Sequence, residues 1–138
     1  MSSTMRTADT VGELMRSPVV SIDAGATVAQ AVSVMDERDI GAIVVTRDHE
    51  PAGLFTERDL LRRILSDRDL LERPIGTVMS APILSIASDA IVQEAFELMA
   101  ANGIRRLVVG DGTGVVGIVT ERDLLAWVRD VGREPAPA

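Results

Sequence analysis

The chain has 138 residues, with 21 acidic and 14 basic side chains, so its formal net charge is −7 at pH 7. An acidic protein repels a phosphate backbone at long range, which argues against nucleic-acid binding. The sequence contains no cysteine, and this excludes disulfide bonds and thiolate metal sites. No signal-peptide pattern is present and no apolar run reaches the roughly 20 residues of a membrane helix, so we expect a cytoplasmic protein with no membrane partner.

The chain contains an internal repeat with a period of 64 residues. Residues 15–61 align with residues 79–125 without a gap, and 18 of these 47 positions are identical. Self-similarity at a fixed period indicates a duplicated structural unit. We predict the following boundaries along the chain: an N-terminal tail at 1–10, the first repeat at 11–66, a linker at 67–74, the second repeat at 75–131 and a C-terminal tail at 132–138.

Both repeats show the same patterns in the same order. A lead-in stretch, VGELM or IGTVM, predicts a helical turn, and the β-rich runs VVSI and ILSI predict a first strand. Apolar residues at i, i+3, i+4 and i+7 from Val28 and from Val92 predict an amphipathic helix. The runs AIVVT and LVVG predict a second strand, and AGLF and VGIV predict a third. The fold class is therefore α/β (α+β): two β-α-β-β-α repeats, each with a small mixed three-stranded sheet and two helices.

The hexapeptide TERDLL opens the last helix of each repeat, at residues 56–61 and 120–125. The apolar face of these two helices is predicted to consist of Leu60, Leu61, Ile64 and Leu65 in the first repeat, and of Leu124, Leu125 and Val128 in the second.

The hexapeptide supports two interpretations. Its Thr-x-x-Asp spacing fits a capping box, in which the hydroxyl and the acid satisfy backbone N–H groups at a helix N-terminus. Capping does not require the intervening Glu and Arg, yet both are repeated, as is a glycine three residues before each Thr. A helix N-terminus also attracts anions, and an acid beside it can bind the two hydroxyls of a ribose. The motif can therefore cap a helix, hold a ribose phosphate, or do both.

With these motifs the chain resembles a tandem pair of CBS domains, also called a Bateman module, from about residue 11 to residue 128. The ribose and phosphate motif of that family, G-h-x-[ST]-x-x-D with h apolar, is matched at 53–59 and at 117–123. The resemblance implies two repeats packed about a pseudo-two-fold axis, with two clefts between them. It implies adenosyl ligands such as AMP, ADP, ATP or S-adenosylmethionine as regulatory ligands, with no required cofactor. It also implies a homodimer and a still unknown protein partner that senses the bound ligand.

The resemblance assigns residues to each cleft, position by position. In one cleft an acid binds the ribose, arginines bind phosphate and the adenine lies against the other repeat; the candidates are Asp123, Thr120, Arg122, Ile118, Arg105, Arg106, Ser17, Val20, Ile40, Gly41 and Ala42. The candidates for the mirror cleft are Asp59, Thr56, Arg58, Ser80, Leu84 and Ile104.

The two predicted sites differ in charge. Arg105 and Arg106 of the second repeat correspond to Gly41 and Ala42 of the first. Since a charge-assisted contact to phosphate strengthens binding, we expect the Asp123 site to be the tighter one. Alternatively, the two arginines cover a face of the sheet or pair with acids.

Other motifs do not support catalysis. GDGTG at 110–114 lies between two predicted strands, so it predicts a hairpin turn rather than a phosphate loop. His49 is the only histidine and stands in a polar turn, and no nucleophile and base pair is present, so we expect neither an enzyme nor a metal site. Trp127 either covers the edge of a core or is buried by a partner.

Three functions are compatible with these patterns. The first is a regulatory module that senses adenosyl ligands. The second is a structural or dimerisation module with empty clefts, in which the hexapeptides serve only capping and packing. The third, a transcription-linked regulator that contacts nucleic acid through its paired arginines, is disfavoured by the acidic net charge.

Overall fold

The structure is a computed structural model that describes residues 9–81 and 83–132. It divides into two compact units, which we call the terminal unit, Met1–Pro18 with Leu84–Ala138, and the central unit, Val19–Ile83. The elements along the chain are α1 (Val11–Leu14), β1 (Ser21–Asp23), α2 (Val28–Arg38), β2 (Ala42–Arg47), β3 (Glu50–Thr56), α3 (Glu57–Arg63), two 3₁₀ turns (Leu70–Glu72 and Ile75–Thr77), β4 (Ser85–Ala87), α4 (Val92–Asn102), β5 (Arg106–Gly110), β6 (Val115–Thr120) and α5 (Glu121–Gly132).

Each unit contains one three-stranded sheet with the same topology. In the central unit β1 is parallel to β2, and β2 is antiparallel to β3. In the terminal unit β4, β5 and β6 repeat this arrangement. The predicted mixed sheets and the β-α-β-β-α order are confirmed.

The first strand of each sheet begins two residues after the start of the predicted run. Val20 and Leu84 precede the strands, and each contributes a carbonyl that accepts a hydrogen bond from the second strand, from the N–H of Val44 at 3.0 Å and of Val108 at 3.0 Å. Only the carbonyl groups of Val20 and Leu84 pair with the neighbouring strand, so the regular strands start one residue later, at Ser21 and Ser85.

The long helix of each repeat follows the predicted apolar spacing. Val28, Ala31 and Met35 of α2 are buried, and the equivalent residues of α4 are buried as well. Both helices end in a left-handed residue at equivalent positions, Asp39 with φ 53° and Gly103 with φ 60°. This conformation ends a helix because it turns the backbone so that its N–H bonds back to the last turn.

The lead-in turn of each repeat packs into the core of the other repeat. Val11 of α1 is fully buried in the core of the terminal unit, and its N–H donates to the carbonyl of Ala90 at 2.8 Å. Ile75 is fully buried in the core of the central unit, and its N–H donates to the carbonyl of Ala26 at 2.7 Å. The predicted repeats, 11–66 and 75–131, each begin with their own lead-in turn. The compact units have other boundaries, because each lead-in turn packs into the core of the other repeat.

The predicted linker at 67–74 is a packed part of the central unit. Leu70 is fully buried in the core of that unit. Arg73 donates two hydrogen bonds to Asp67, of 2.6 and 2.9 Å, and this pairing lowers the pKa of Asp67. The segment therefore contributes to the core while its charged side chains remain exposed.

The predicted apolar faces of α3 and α5 are only partly buried. Leu60 and Leu124 pack against the two cores. Leu61 is 72% exposed, Leu65 is 96% exposed and Leu125 is 65% exposed. The predicted helical pattern is wrong for Ile64 and Leu65, because α3 ends at Arg63 and these two residues lie in the turn that follows. Within the helices, Leu61 and Leu125 remain in solvent.

Trp127 covers the edge of the terminal core, which is the first of the two predicted alternatives. Its ring lies 6.1 Å from that of Phe96, and its indole N–H donates to the carboxylate of Asp9 at 2.6 Å. The side chain thus connects α5 to the N-terminal segment. Among the described residues, no helix has the length and apolar character to cross a membrane.

The hairpin between β2 and β3 turns through two residues with positive φ, Asp48 at 51° and His49 at 66°. This is the pattern of a type I′ turn, which favours glycine at its second position. We expect His49→Gly to raise the free energy of unfolding in urea by about 0.5–1 kcal/mol, because left-handed backbone is costly for other residues. Glu50→Gly, one residue further in regular strand, is the control and should lower it; equal effects of both substitutions would contradict the assignment.

Candidate functional site

The second hexapeptide closes a capping box at the start of α5. Thr120 ends β6, and both its backbone N–H and its hydroxyl donate to Oδ2 of Asp123, at 2.8 and 3.0 Å. The N–H of Asp123 donates back to the Thr120 hydroxyl at 3.3 Å. The capping interpretation of Thr and Asp is confirmed in this repeat. A carboxylate oxygen offers two acceptor positions, so Oδ2 is fully engaged by Thr120.

The other carboxylate oxygen of Asp123 faces the lead-in segment, a name we use for residues 11–16 and for the equivalent residues 75–80. Nε of Arg16 donates to Oδ1 at 3.1 Å. The Asp123 side chain is 11% exposed, whereas that of Arg16 is 71% exposed. The backbone of Arg16 is held in place by two hydrogen bonds with Ile118 of β6, of 2.8 and 3.1 Å. The acid therefore has one oxygen in the capping box and one oxygen that a side chain from outside the helix contacts.

The central unit repeats this arrangement with a different partner. Thr56 donates to Oδ2 of Asp59 through its N–H at 2.9 Å and its hydroxyl at 3.1 Å, which closes the same capping box. The hydroxyl of Ser80 donates to Oδ1 of Asp59 at 3.0 Å. The backbone of Ser80 exchanges hydrogen bonds with Leu54 of β3, of 2.7 and 2.9 Å. Ser80 thus occupies the place of Arg16.

The repeated glycine of the motif gives the lead-in segment room to approach. A β carbon built on Gly117 would lie 2.5 Å from the sulfur of Met15 and 3.0 Å from the carbonyl oxygen of Arg16. On Gly53 it would lie 2.5 Å from the sulfur of Met79 and 2.8 Å from the carbonyl oxygen of Ser80. The glycine is therefore required by the close passage of a neighbouring backbone.

The Glu of the hexapeptide lies against the start of the second strand. The N–H of Glu121 donates to the carbonyl of Arg105 at 3.0 Å, and the two side chains form an ion pair of 3.8 Å between exposed groups. In the central unit the N–H of Glu57 donates to the carbonyl of Gly41 at 3.0 Å. The alternative that an arginine pairs with an acid is thus observed for Arg105, although an exposed pair of this length is weak.

Two further arginines lie beside the capping box of the terminal unit. Arg122 is exposed in the first turn of α5, and Arg106 is exposed and stands directly opposite Thr120 in the sheet. The position opposite Thr56 in the central unit is Ala42. The terminal unit therefore carries arginines at strand positions next to its capping box, whereas the central unit has Arg58 in its hexapeptide and no arginine at the equivalent strand positions.

The terminal unit brings together most of the residues predicted for the Asp123 site. It contains Asp123, Thr120, Arg122, Ile118, Arg105, Arg106 and Ser17, and also Leu84 and Ile104. The central unit contains Asp59, Thr56, Arg58 and Ser80 of the mirror site, and also Val20, Ile40, Gly41 and Ala42. The part assigned to adenine, which combines residues of both units, stays a prediction.

Arg16 is absent from the residues predicted for the Asp123 site, which include its neighbour Ser17 instead. Ser80, a predicted ligand-binding residue of the mirror site, contacts the motif acid Asp59, and its contact with a ligand stays a prediction. The repeat period of 64 residues pairs Ser80 with Arg16. The register therefore points to the arginine once the contact between Ser80 and Asp59 is known, and that contact is visible only in the structure.

The site of the terminal unit combines a carboxylate, which Arg16 and a backbone N–H contact, with further arginines on the neighbouring strand and helix. Asp123 can accept hydrogen bonds from hydroxyl groups, and the arginines can bind an anion. Among residues 9–81 and 83–132, no group of three or more His, Asp or Glu side chains is arranged to hold a metal ion.

A family model of the CBS domain matches residues 11–66 and residues 75–130. The chain therefore belongs to the CBS-domain family and carries the domain twice, which confirms the resemblance seen in the sequence. These matched segments coincide with the two repeats, including both hexapeptides.

Individual relatives agree with this assignment. An uncharacterised protein of Methanopyrus kandleri is 36% identical over 118 residues, which cover 83% of this chain and 60% of that protein. The CBS domain-containing protein YhcV of Bacillus subtilis is 32% identical over 114 residues, or 83% of this chain and 81% of the relative. A CBS domain protein of Pyrobaculum aerophilum, solved in complex with AMP, superposes with a TM-score of 0.71 at 26% identity, covering 91% of this chain and 100% of that one.

The close approach at the motif glycines can be tested by substitution. We expect Gly53→Ala to lower the free energy of unfolding in urea by about 1–3 kcal/mol, since the lead-in backbone must move to admit a methyl group. Gly117→Ala should have a similar or smaller effect. Gly41→Ala is the control, because its β carbon would meet the flexible carboxylate of Glu57, and it should cost less than about 0.5 kcal/mol. A loss at Gly41 equal to that at Gly53 would contradict the proposed packing.

Proposed function

We propose that this protein is a regulatory module that binds an adenosyl ligand at its hexapeptide motifs and signals to a protein partner. The observation that carries the proposal is that the two oxygens of each motif carboxylate have different partners. Oδ2 of Asp123 completes the helix cap, and Oδ1 faces outward to a donor that belongs to a different segment. A ribose hydroxyl can take the place of that donor without loss of the cap.

Three features support an adenosyl ligand. The structural relative from Pyrobaculum aerophilum is described as complexed with AMP. The acid beside a helix N-terminus suits a ribose phosphate, since the N–H groups attract the phosphate and the carboxylate accepts from the diol. Arg105, Arg106 and Arg122 supply the cations that a phosphate needs.

The two copies of the site are proposed to bind with unequal affinity. A hydrogen bond between an arginine and a phosphate contributes about 1.5–3 kcal/mol, which corresponds to roughly tenfold or more in affinity. Arg105 and Arg106 are available to the Asp123 copy, whereas Gly41 and Ala42 occupy their places in the Asp59 copy. The Asp123 copy is therefore the tighter one.

The ligand acts as a signal rather than as a substrate in this proposal. A ligand shifts a conformational equilibrium only by its differential affinity for the two states, and a partner then binds one of those states. The chain has a single histidine, which lies in a hairpin turn. We therefore propose no catalytic activity for the chain itself.

A purely structural module is the second candidate. Both capping boxes close through protein groups alone, and the outward oxygen of each acid is contacted by Arg16 or Ser80. These contacts satisfy the motif without any other molecule. Ligand binding distinguishes the two functions.

The conservative variant Asp123→Asn separates the two roles of the acid. An asparagine oxygen can remain in the capping box, while its amide NH₂ replaces the outward acceptor and can no longer accept a hydrogen bond from a ribose hydroxyl. We expect calorimetry with AMP to show at least tenfold weaker binding to this variant than to the wild type, and a smaller loss for Asp59→Asn.

A thermal-shift screen provides the complementary measurement. AMP, ADP, ATP or S-adenosylmethionine at a hundred times its dissociation constant should stabilise the wild-type protein by about 2.7 kcal/mol. Asp123→Ala, which removes both roles, is the control for the cap and should also unfold at lower temperature without ligand. If none of the four compounds shifts the transition, the structural module is the correct function; a larger loss for Asp59→Asn than for Asp123→Asn contradicts the order of the two copies.

We also propose a homodimer formed through the last helices of the repeats. Leu61 and Leu125 occupy equivalent positions and both are largely exposed, as is Leu65. Such leucines gain free energy when a second copy removes them from water.

The dimer can be tested by light scattering. Leu61→Glu together with Leu65→Glu should convert a dimer of about twice the chain mass of 14.7 kDa into a monomer, since charges are excluded from an apolar interface. Leu71→Glu, at an exposed position on the 3₁₀ turn, is the matched control and should leave the mass unchanged. A wild-type protein that is monomeric at high concentration would rule out the dimer.

A further inference from the structure

We infer that Arg16 determines the ligand selectivity of the Asp123 site, by competing with uncharged ligands and assisting anionic ones. This inference rests on the proposed function, and it names the ligand class: adenosine phosphates rather than adenosine or S-adenosylmethionine. The position of Arg16 distinguishes the two copies, because Ser80 stands at the equivalent place in the central unit.

The competition follows from the acceptor positions of Asp123. Both positions on Oδ2 are taken by the N–H and the hydroxyl of Thr120. The two hydroxyls of a ribose diol need both acceptor positions of Oδ1, and Nε of Arg16 occupies one of them at 3.1 Å. The second hydroxyl and the guanidinium compete for that position, so binding of the whole diol requires that the guanidinium shift or leave.

Arg16 is able to leave without disturbing the fold. Its backbone is fixed to Ile118 by hydrogen bonds of 2.8 and 3.1 Å, while its side chain is 71% exposed. The long flexible side chain can therefore rotate about a fixed Cα position. The guanidinium lies at the solvent end of the ion pair, so water can hydrate it once it leaves the carboxylate.

The fate of the displaced guanidinium depends on the charge of the ligand. Once it leaves Asp123, Arg16 adds a positive charge to a region that already contains Arg105, Arg106 and Arg122. A phosphate on the ligand supplies a new anionic partner for it. Adenosine supplies none, and the sulfonium of S-adenosylmethionine adds a further positive charge.

The central unit provides a control within the same chain. The hydroxyl of Ser80 at Oδ1 of Asp59 is neutral, so its displacement leaves no unpaired charge. It can also donate to other acceptors after it turns away. The Asp59 copy should therefore discriminate between AMP and adenosine much less than the Asp123 copy does.

Calorimetry on variants of the whole chain tests the inference. All measurements at the Asp123 copy use an Asp59→Asn background, in which the second copy is silenced while its helix cap is kept. We expect Arg16→Ser to lower the ratio of AMP affinity to adenosine affinity by roughly tenfold, through tighter adenosine and weaker AMP binding. Arg129→Ser is the matched control: this exposed arginine pairs with its neighbour Asp130 further along α5, and its loss should leave the ratio unchanged.

Introducing the arginine at the equivalent position of the other copy provides a second, independent test. In an Asp123→Asn background, Ser80→Arg should raise the same ratio at the Asp59 copy. If Arg16→Ser changes the ratio no more than Arg129→Ser does, the inference is wrong, while nucleotide binding stands. If AMP, ADP, ATP and S-adenosylmethionine all fail to bind to the Asp59→Asn protein, or if binding persists unchanged when Asp123→Asn is added, the proposed function is wrong and the inference fails with it.

Discussion

Antiparallel pairing of a lead-in residue with the last strand of a sheet is the contact on which the rest of the site depends. Arg16 pairs with Ile118 in the terminal unit, and Ser80 pairs with Leu54 in the central unit. The close approach requires a glycine one residue before the paired strand residue, at 117 and at 53, because a side chain there would collide with the lead-in backbone. The pairing also brings a side chain of the lead-in segment to the outward oxygen of the motif acid.

In the proposed function the motif acid combines a structural and a binding role, because a carboxylate has two oxygens. One oxygen closes the helix cap, and the other accepts from whatever donor lies outside the helix. The cap fixes the orientation of the carboxylate, so a ligand meets an acceptor that is already in place. Capping and binding are therefore compatible interpretations of one sequence pattern, and protein groups alone satisfy the first of them completely.

Duplication followed by divergence accounts for the difference between the two copies. The Thr, Asp and Gly positions, which serve the cap and the lead-in contact, are identical in both repeats. The surrounding positions differ, since Arg16, Arg105 and Arg106 have Ser80, Gly41 and Ala42 as their counterparts. The shared residues maintain the geometry, and the divergent residues set the charge.

Local and periodic features of this protein could be determined from its sequence alone. The repeat, the order of strands and helices, the buried face of α2 and the capping boxes depend on contacts within a few residues, and these contacts leave regular spacings in the chain. Tertiary structure alone decided which core receives each lead-in turn, and that Arg16 reaches Asp123 across 107 residues. It also decided that α3 ends at Arg63, before Leu65, and that Leu61 stays exposed although its spacing is that of a buried face. Contacts between distant segments leave no spacing in the sequence, so they appear only when the backbone brings those segments together.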